Sequence, residues 1–209
     1  RMPGWRILRT GAASYGRTTA YRPVIDLLRA YFEIYDRSDR QRVRDKIVGH
    51  VLALDQQLAP ILPALLSLLD VPVEDPQWQS LDPRQRRRQT MDAIRRLLLR
   101  ESLRQPLCVV FEDLHWIDSE TQAFLDSLIQ SLPAAQVLLL VNYRPEYRHE
   151  WGSKSYYRQL RVDPLPPQNA EKLLRLLLGD DGQLAPLKRL LIDHTRGNPF
   201  FLEESVRMN

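Results

Sequence analysis

Two short, uninterrupted apolar runs constrain this chain more than any other feature: PLCVVFED at 106–113 and QVLLLVNYR at 136–144. Continuous rather than alternating apolarity over so few residues predicts strands covered on both faces, as in a parallel sheet. Between them, IDSETQAFLDSLIQSL (117–132) sets Phe124, Leu125, Leu128 and Ile129 at helical spacing, with Ser119 and Gln122 placed to form a capping box. Strand, helix and strand within about forty residues make a βαβ unit, whose crossover is expected to be right-handed.

The flanking sequence extends this pattern. WRILRT (5–10) reads as an opening strand, and YRPVIDLLRAYFEIY (21–35) as a helix with Val24, Leu27, Leu28, Tyr31 and Ile34 on one face and Pro23 in its first turn. Two more helices are predicted from RQRVRDKIVGHVLAL (40–54) and QQLAPILPALLSLL (56–69), the second interrupted by Pro60 and Pro63. Asp82 as cap and Pro83 at the first helical position open a long helix to about Arg104. After a polar and aromatic loop, PEYRHEWGSKSYYRQ, the stretch RQLRVDPL (158–165) reads as a further short strand, and beyond Pro166 only helices follow. That change of character marks a boundary near Pro164–Pro167. The fold class predicted is therefore α/β, a parallel sheet with flanking helices followed by a small C-terminal helical lid. Residues 1–165 form the core and 166–209 the lid.

Charge and cysteine content narrow the setting. The formal charge of +4 comes largely from DPRQRRRQ (82–89) and RRLLLRESLR (95–104). Arginines interleaved with leucines at helical spacing read first as the solvated face of an amphipathic helix. The alternative, a basic helical module that docks on nucleic acid or an acidic protein without nucleotide chemistry, lacks a recognised nucleic-acid-reading motif. One cysteine, Cys108, within an apolar run leaves no disulfide framework or thiolate cluster and points to a reducing, cytoplasmic setting. No apolar run approaches the roughly 18 residues of a membrane span, so no membrane partner is expected.

GAASYGRT (11–18) follows the opening strand and matches a phosphate-binding loop except for Arg17 in place of lysine. In a true phosphate loop the helix starts inside the motif, where Pro23 would fall within its second turn. Guanidinium is also a broad planar fork where the loop needs a compact point charge. The stretch is read here as a strand-to-helix loop.

Three other places carry candidate chemistry. Glu112 and Asp113 end the first apolar strand, and open α/β sheets bind ligands beyond the carboxyl ends of their strands. Adjacent strand residues point in opposite directions, so one carboxylate can face a Mg²⁺ shell while the other reaches an attacking water. Arg144 ends the next strand and could neutralise a terminal phosphate. In HTRGNPFFLEE (194–204), Gly197 suits the left-handed end of one helix, Asn198 caps the next and Pro199 suits its first turn.

LCVVFEDLHWIDSETQAFLDSLI, LLLVNYRPEY and HTRGNPFFLEES, in that order, resemble the ATPase module of the STAND branch of AAA+-related P-loop ATPases. The closest likeness is to the origin-recognition-like, AAA-16 type of bacterial multidomain regulators, such as those with adenylate cyclase domains. The resemblance implies that Glu112 and Asp113 are the Walker B acids and metal contacts, and that Arg144 is the sensor 1 arginine. It implies too that Gly197, Asn198 and Pro199 meet the base from the lid, with ATP and Mg²⁺ as cofactors. His115 and Trp116 match a characteristic pair, for which packing is expected. The segment SYGRTTAYRPVIDLL then resembles the loop and helix after the second strand of such a domain. This places the glycine-rich loop before Arg1, leaves the lid incomplete at its C-terminus and makes the chain alone a poor ATP binder. Implied partners are ATP and ADP, other domains of the same polypeptide and nucleotide-dependent copies of itself, but not nucleic acid.

Overall fold

The computed structural model describes residues 4–13, 20–35 and 39–207. Its sheet is built from the predicted apolar runs: β1 (Arg6–Gly11), β2 (Leu107–Glu112) and β3 (Val137–Val141), all parallel, with β2 in the centre. The register pairs Ile7 with Cys108 and Leu138 across the three strands, and Arg9 with Val110 and Leu140.

One face of the sheet is covered by helices. From α1 (Arg22–Tyr31) come Val24, Leu27, Leu28 and Tyr31, from α5 (Pro83–Arg104) Ile94, Leu97 and Leu98, and from α6 (Ser119–Ser131) Phe124, Leu125 and Leu128. They bury Leu8, Val109 and Phe111 of the sheet in one core. Between α1 and α5 lie α2 (Arg40–Leu54), α3 (Leu62–Leu68) and the short α4 (Pro76–Ser80). The proline-interrupted run begins as a 3-10 helix over Gln56–Ile61, because Pro60 removes an α-helical donor. α5 opens on the full capping box of Asp82 and Gln85.

The other face departs from expectation. Ile7, Leu138 and Leu140 are 50%, 43% and 52% exposed, and β3 has no strand on its outer edge among the described residues. β3 is thus covered on one face only, although its composition is that of a strand buried on both. Cys108 and Val110, on the same face of the central strand, are buried.

Contacts divide the chain into two compact units, residues 1–157 and 158–209. In the second unit α7 (Pro167–Leu178), α8 (Ala185–Thr195) and α9 (Pro199–Arg207) surround a small core of Ala170, Leu174, Leu191 and Leu202. The strand predicted at 158–165 is not formed. Leu160 and Val162 alternate as a strand would but stand 88% and 94% exposed, and no strand among the described residues pairs with them to make a ladder. Among the described residues no helix is long and apolar enough to cross a membrane.

Candidate functional site at the carboxyl end of the sheet

Residues 108, 110 and 112 of β2 share one face, so Glu112 projects on the side that the described helices leave open. Its carboxylate lies 3.7 Å from Arg9 Nε, and both side chains are well solvated, which limits the pair to about 1 kcal/mol or less. The chain then turns sharply. Asp113 adopts the left-handed conformation, φ 58° and ψ 46°, uncommon for a residue with a Cβ. Its N–H donates to Asn142 Oδ1 at 2.8 Å, and the next N–H, of Leu114, donates to the Asn142 carbonyl at 3.0 Å. Asn142 in turn donates its own N–H to the Phe111 carbonyl at 3.2 Å. The Asp113 carboxylate is exposed and makes no ion pair among the described residues.

Beyond Asp113, Leu114–Trp116 forms one 3-10 turn in which His115 is buried with its ring 5.0 Å from that of Trp116. Asp118, not the predicted Ser119, caps α6. Its buried carboxylate accepts the N–H groups of Glu120 and Thr121, the Thr121 hydroxyl at 2.6 Å and the N–H of Tyr21 from the entry of α1. Aspartate competes better than serine here because two oxygens can accept all four bonds.

Arg144 stands three residues past the end of β3, at the same end of the sheet as the two acids, and its guanidinium is exposed with no ion pair among the described residues. The loop that carries it is fastened along α6. Tyr147 donates its hydroxyl to Gln122 Oε1, Trp151 donates Nε1–H to Asp126 Oδ1 at 2.7 Å, and the Tyr156 hydroxyl donates to the Ile129 carbonyl at 2.9 Å. Between these anchors the His149 ring stacks on Trp151 at 4.5 Å with Nε2 2.9 Å from the Tyr143 hydroxyl. Burial lowers the His149 pKa despite the opposing charge of Asp126, and burial, then the Tyr143 bond, pushes Tyr157 up to about 12. None of these anchors was foreseen as more than a polar, aromatic loop. The aromatic density of 143–157 was the only signal.

GAASYGRT falls partly outside the described residues, which omit Ser14–Thr19. On either side, β1 ends at Gly11 and α1 begins at Arg22 with Pro23 in its first turn. Tyr21, its N-cap, is left-handed, and its N–H is already taken by Asp118.

In the second unit, Arg196 (φ 52°) and Gly197 (φ 74°) both take the left-handed conformation to end α8. Asn198 Oδ1 then accepts the Phe200 N–H at 3.1 Å, and Pro199 is the first residue of α9. Gly197, Asn198 and Pro199 thus form one tight helix-to-helix turn, with Pro199 exposed.

Among the described residues no group of three His, Cys, Asp or Glu could hold a metal ion by itself. Glu112 and Asp113 do supply two adjacent hard oxygen ligands, the donor set suited to Mg²⁺ when waters and phosphates complete the shell.

The family model of the AAA ATPase domain matches residues 1–141. An uncharacterized protein of Rhizobium meliloti (strain 1021) is 29% identical over 126 residues, 59% of this chain and 12% of that protein. The chain thus spans only about an eighth of the length of that relative. No solved structure matches. The match over residues 1–141 covers more than half of the chain, which therefore belongs to the AAA ATPase domain family and is a nucleotide-binding ATPase module of P-loop type.

Proposed function

We propose, from this membership, that the chain is the sheet and lid portion of an ATP-dependent regulatory switch within a larger signal-transduction or transcription-regulatory polypeptide. The observation that carries the reading is the turn ending the central strand, where Glu112 and Asp113 are consecutive and Arg144 follows in the loop just past the neighbouring strand. Glu112 and Asp113 would hold Mg²⁺, which when bound neutralises phosphate charge. Asp113, exposed and without an ion pair among the described residues, would orient the attacking water and accept its proton, and Arg144 would face the charge on the terminal phosphate. Gly197, Asn198 and Pro199 offer a rigid turn to the adenine. Exchange of ATP for ADP would change lid position or self-association, giving the switch its two states.

A phosphate cradle completes this site in the reading. We place it on a segment outside residues 4–207 that pairs with the open edge of β3 and covers Ile7, Leu138 and Leu140 with its helix. The chain alone then binds ATP weakly. The basic-module alternative loses part of its charge to pairs within the fold, since Arg87 of α5 pairs with Glu120, Arg95 with Asp92 and Arg100 with Asp55.

The test is Asp113→Asn in the intact polypeptide, with ATP binding and hydrolysis measured separately. Retained binding with lost hydrolysis is expected, and unchanged hydrolysis overturns the assignment. Titrating this chain alone with ATP and Mg²⁺ beside Arg17→Ala checks the cradle. Micromolar binding that vanishes in the variant would make GAASYGRT the phosphate loop after all.

A further inference from the structure

Asn142 touches three of four consecutive residues at the end of β2. It donates to the Phe111 carbonyl, accepts the Asp113 N–H through its side chain and accepts the Leu114 N–H through its backbone. The β2–β3 register ends at Phe111 and Val141 and the β1–β2 register at Glu112, so no strand ladder fixes the chain at Asp113. Asp113 takes a left-handed conformation, which aspartate tolerates better than most residues with a Cβ but which still costs energy unless its surroundings favour it. Asn142 supplies that constraint, because its side-chain oxygen holds the Asp113 N–H and its main-chain oxygen the Leu114 N–H, and these two N–H groups belong to the peptide planes on either side of the Asp113 Cα, so that holding both fixes its φ and ψ.

We infer that Asn142 is the positioning residue of this site: its side-chain carbonyl locks the left-handed turn at Asp113 and thereby fixes the angle between the Glu112 and Asp113 carboxylates. The inference rests on the ATPase reading above. Release of the turn lets Asp113 relax toward negative φ and swing its carboxylate, while the freed N–H, at an exposed position, is rehydrated. The loss is then felt in alignment of the attacking water rather than in folding or in nucleotide affinity. Misplacement on the ångström scale reduces turnover by up to about a hundredfold.

The experiment compares Asn142→Ala, Asp113→Asn and the double variant in the intact polypeptide. Hydrolysis and ATP affinity are measured for each, together with deuterium uptake of the segment 107–118. The expected result for Asn142→Ala is a kcat lowered roughly tenfold to a hundredfold, an unchanged ATP Kd and faster exchange at 113–114. The double variant should be no slower than Asp113→Asn alone, since both act through one carboxylate. Normal kcat in Asn142→Ala beside a slow Asp113→Asn overturns the inference alone. So does a double variant slower than either single one, which would assign Asn142 its own contact with the reacting groups. Unchanged hydrolysis in Asp113→Asn overturns the ATPase reading, and this inference with it.

Discussion

Gly197 lies so close to the Leu165 carbonyl that a Cβ built on it would stand 2.4 Å from that oxygen, while the Leu165 N–H donates to the Gly197 carbonyl at 2.8 Å. Two demands therefore meet at Gly197: a φ of 74° and bare backbone-to-backbone contact. Glycine is needed here for the architecture of the second unit, whatever the turn also does for a base.

Gly197→Ala should accordingly destabilise the second unit by about 2–4 kcal/mol, the sum of left-handed strain and a clash with rigid backbone. Limited proteolysis would show cleavage within 158–207 while 4–157 stays resistant. Resistance equal to the parent in both units would refute the account.

Glu101 is a second point of vulnerability. It is 1% exposed and accepts from Arg6 at 3.1 Å, from the Tyr31 hydroxyl at 2.8 Å and from Gln105 at 2.9 Å, while the Arg6 guanidinium sits 4.2 Å above the Tyr31 ring. Glu101→Ala leaves the largely buried Arg6 guanidinium without its counter-charge and the buried Tyr31 hydroxyl without its acceptor. A loss of about 3 kcal/mol in urea unfolding is expected, and a loss of similar size for Arg6→Met, which leaves the buried Glu101 carboxylate without its counter-charge.

Glu101 and two partly buried histidines give stability a pH dependence whose sign follows from their shifts. Burial lowers the pKa of His50 and His149 from 6.5, so the unfolded chain takes up protons first as pH falls through that value, and stability drops below it. Burial alone would raise the Glu101 carboxyl, but the bonds from Gln105, Tyr31 and Arg6 outweigh it and hold the pKa below 4.5. Its contribution is complete above 4.5 and is lost as pH falls below it. Urea midpoints should therefore be level above about pH 7 and decline in two stages on acidification. A midpoint unchanged between neutral pH and pH 5 would exclude the histidine stage.

Much of this was legible from residues whose signals are local. Helix α2 begins and ends where its apolar period does, α5 is announced by Asp82 and Pro83, and β2 by its apolar run. What escaped depends on partners distant in sequence. Arg9 reaches Glu112 only through the β1–β2 register, and Asn142 reaches Asp113 only across neighbouring strands. The composition of β3 says that both faces are apolar, not that one of them is covered. Leu160 and Val162 likewise alternate as a strand would, but alternation cannot provide the strand they would pair with.

Asp118 illustrates how a cap can be misread by one residue and carry more than a cap. Asp118→Ala removes three acceptor bonds at the start of α6 together with the tie to Tyr21 of α1. The expected cost is about 2–3 kcal/mol, above the usual 1 kcal/mol of an N-cap, because the Tyr21 N–H is left buried and unpaired. Asp118→Ser keeps the cap but not the reach to Tyr21 and should fall between the two. Equal stability of the serine variant and the parent would show that the α1 tie contributes nothing.

The open apolar face separates this chain from the polypeptide in which we place it. Leu138 and Leu140 are already about half exposed, so Leu138→Thr with Leu140→Thr removes little buried surface here. A change within about 0.5 kcal/mol is expected for the chain alone. In the intact polypeptide the same pair would lie under the helix that follows the phosphate cradle, and each leucine would contribute as a core residue. There the double substitution should cost about 3–5 kcal/mol and weaken ATP binding, because the cradle is held against β3 by that face. Equal effects in the two proteins would mean that this face stays open in both and that the cradle lies elsewhere. A large effect confined to the intact polypeptide would locate it on the β3 side of the sheet.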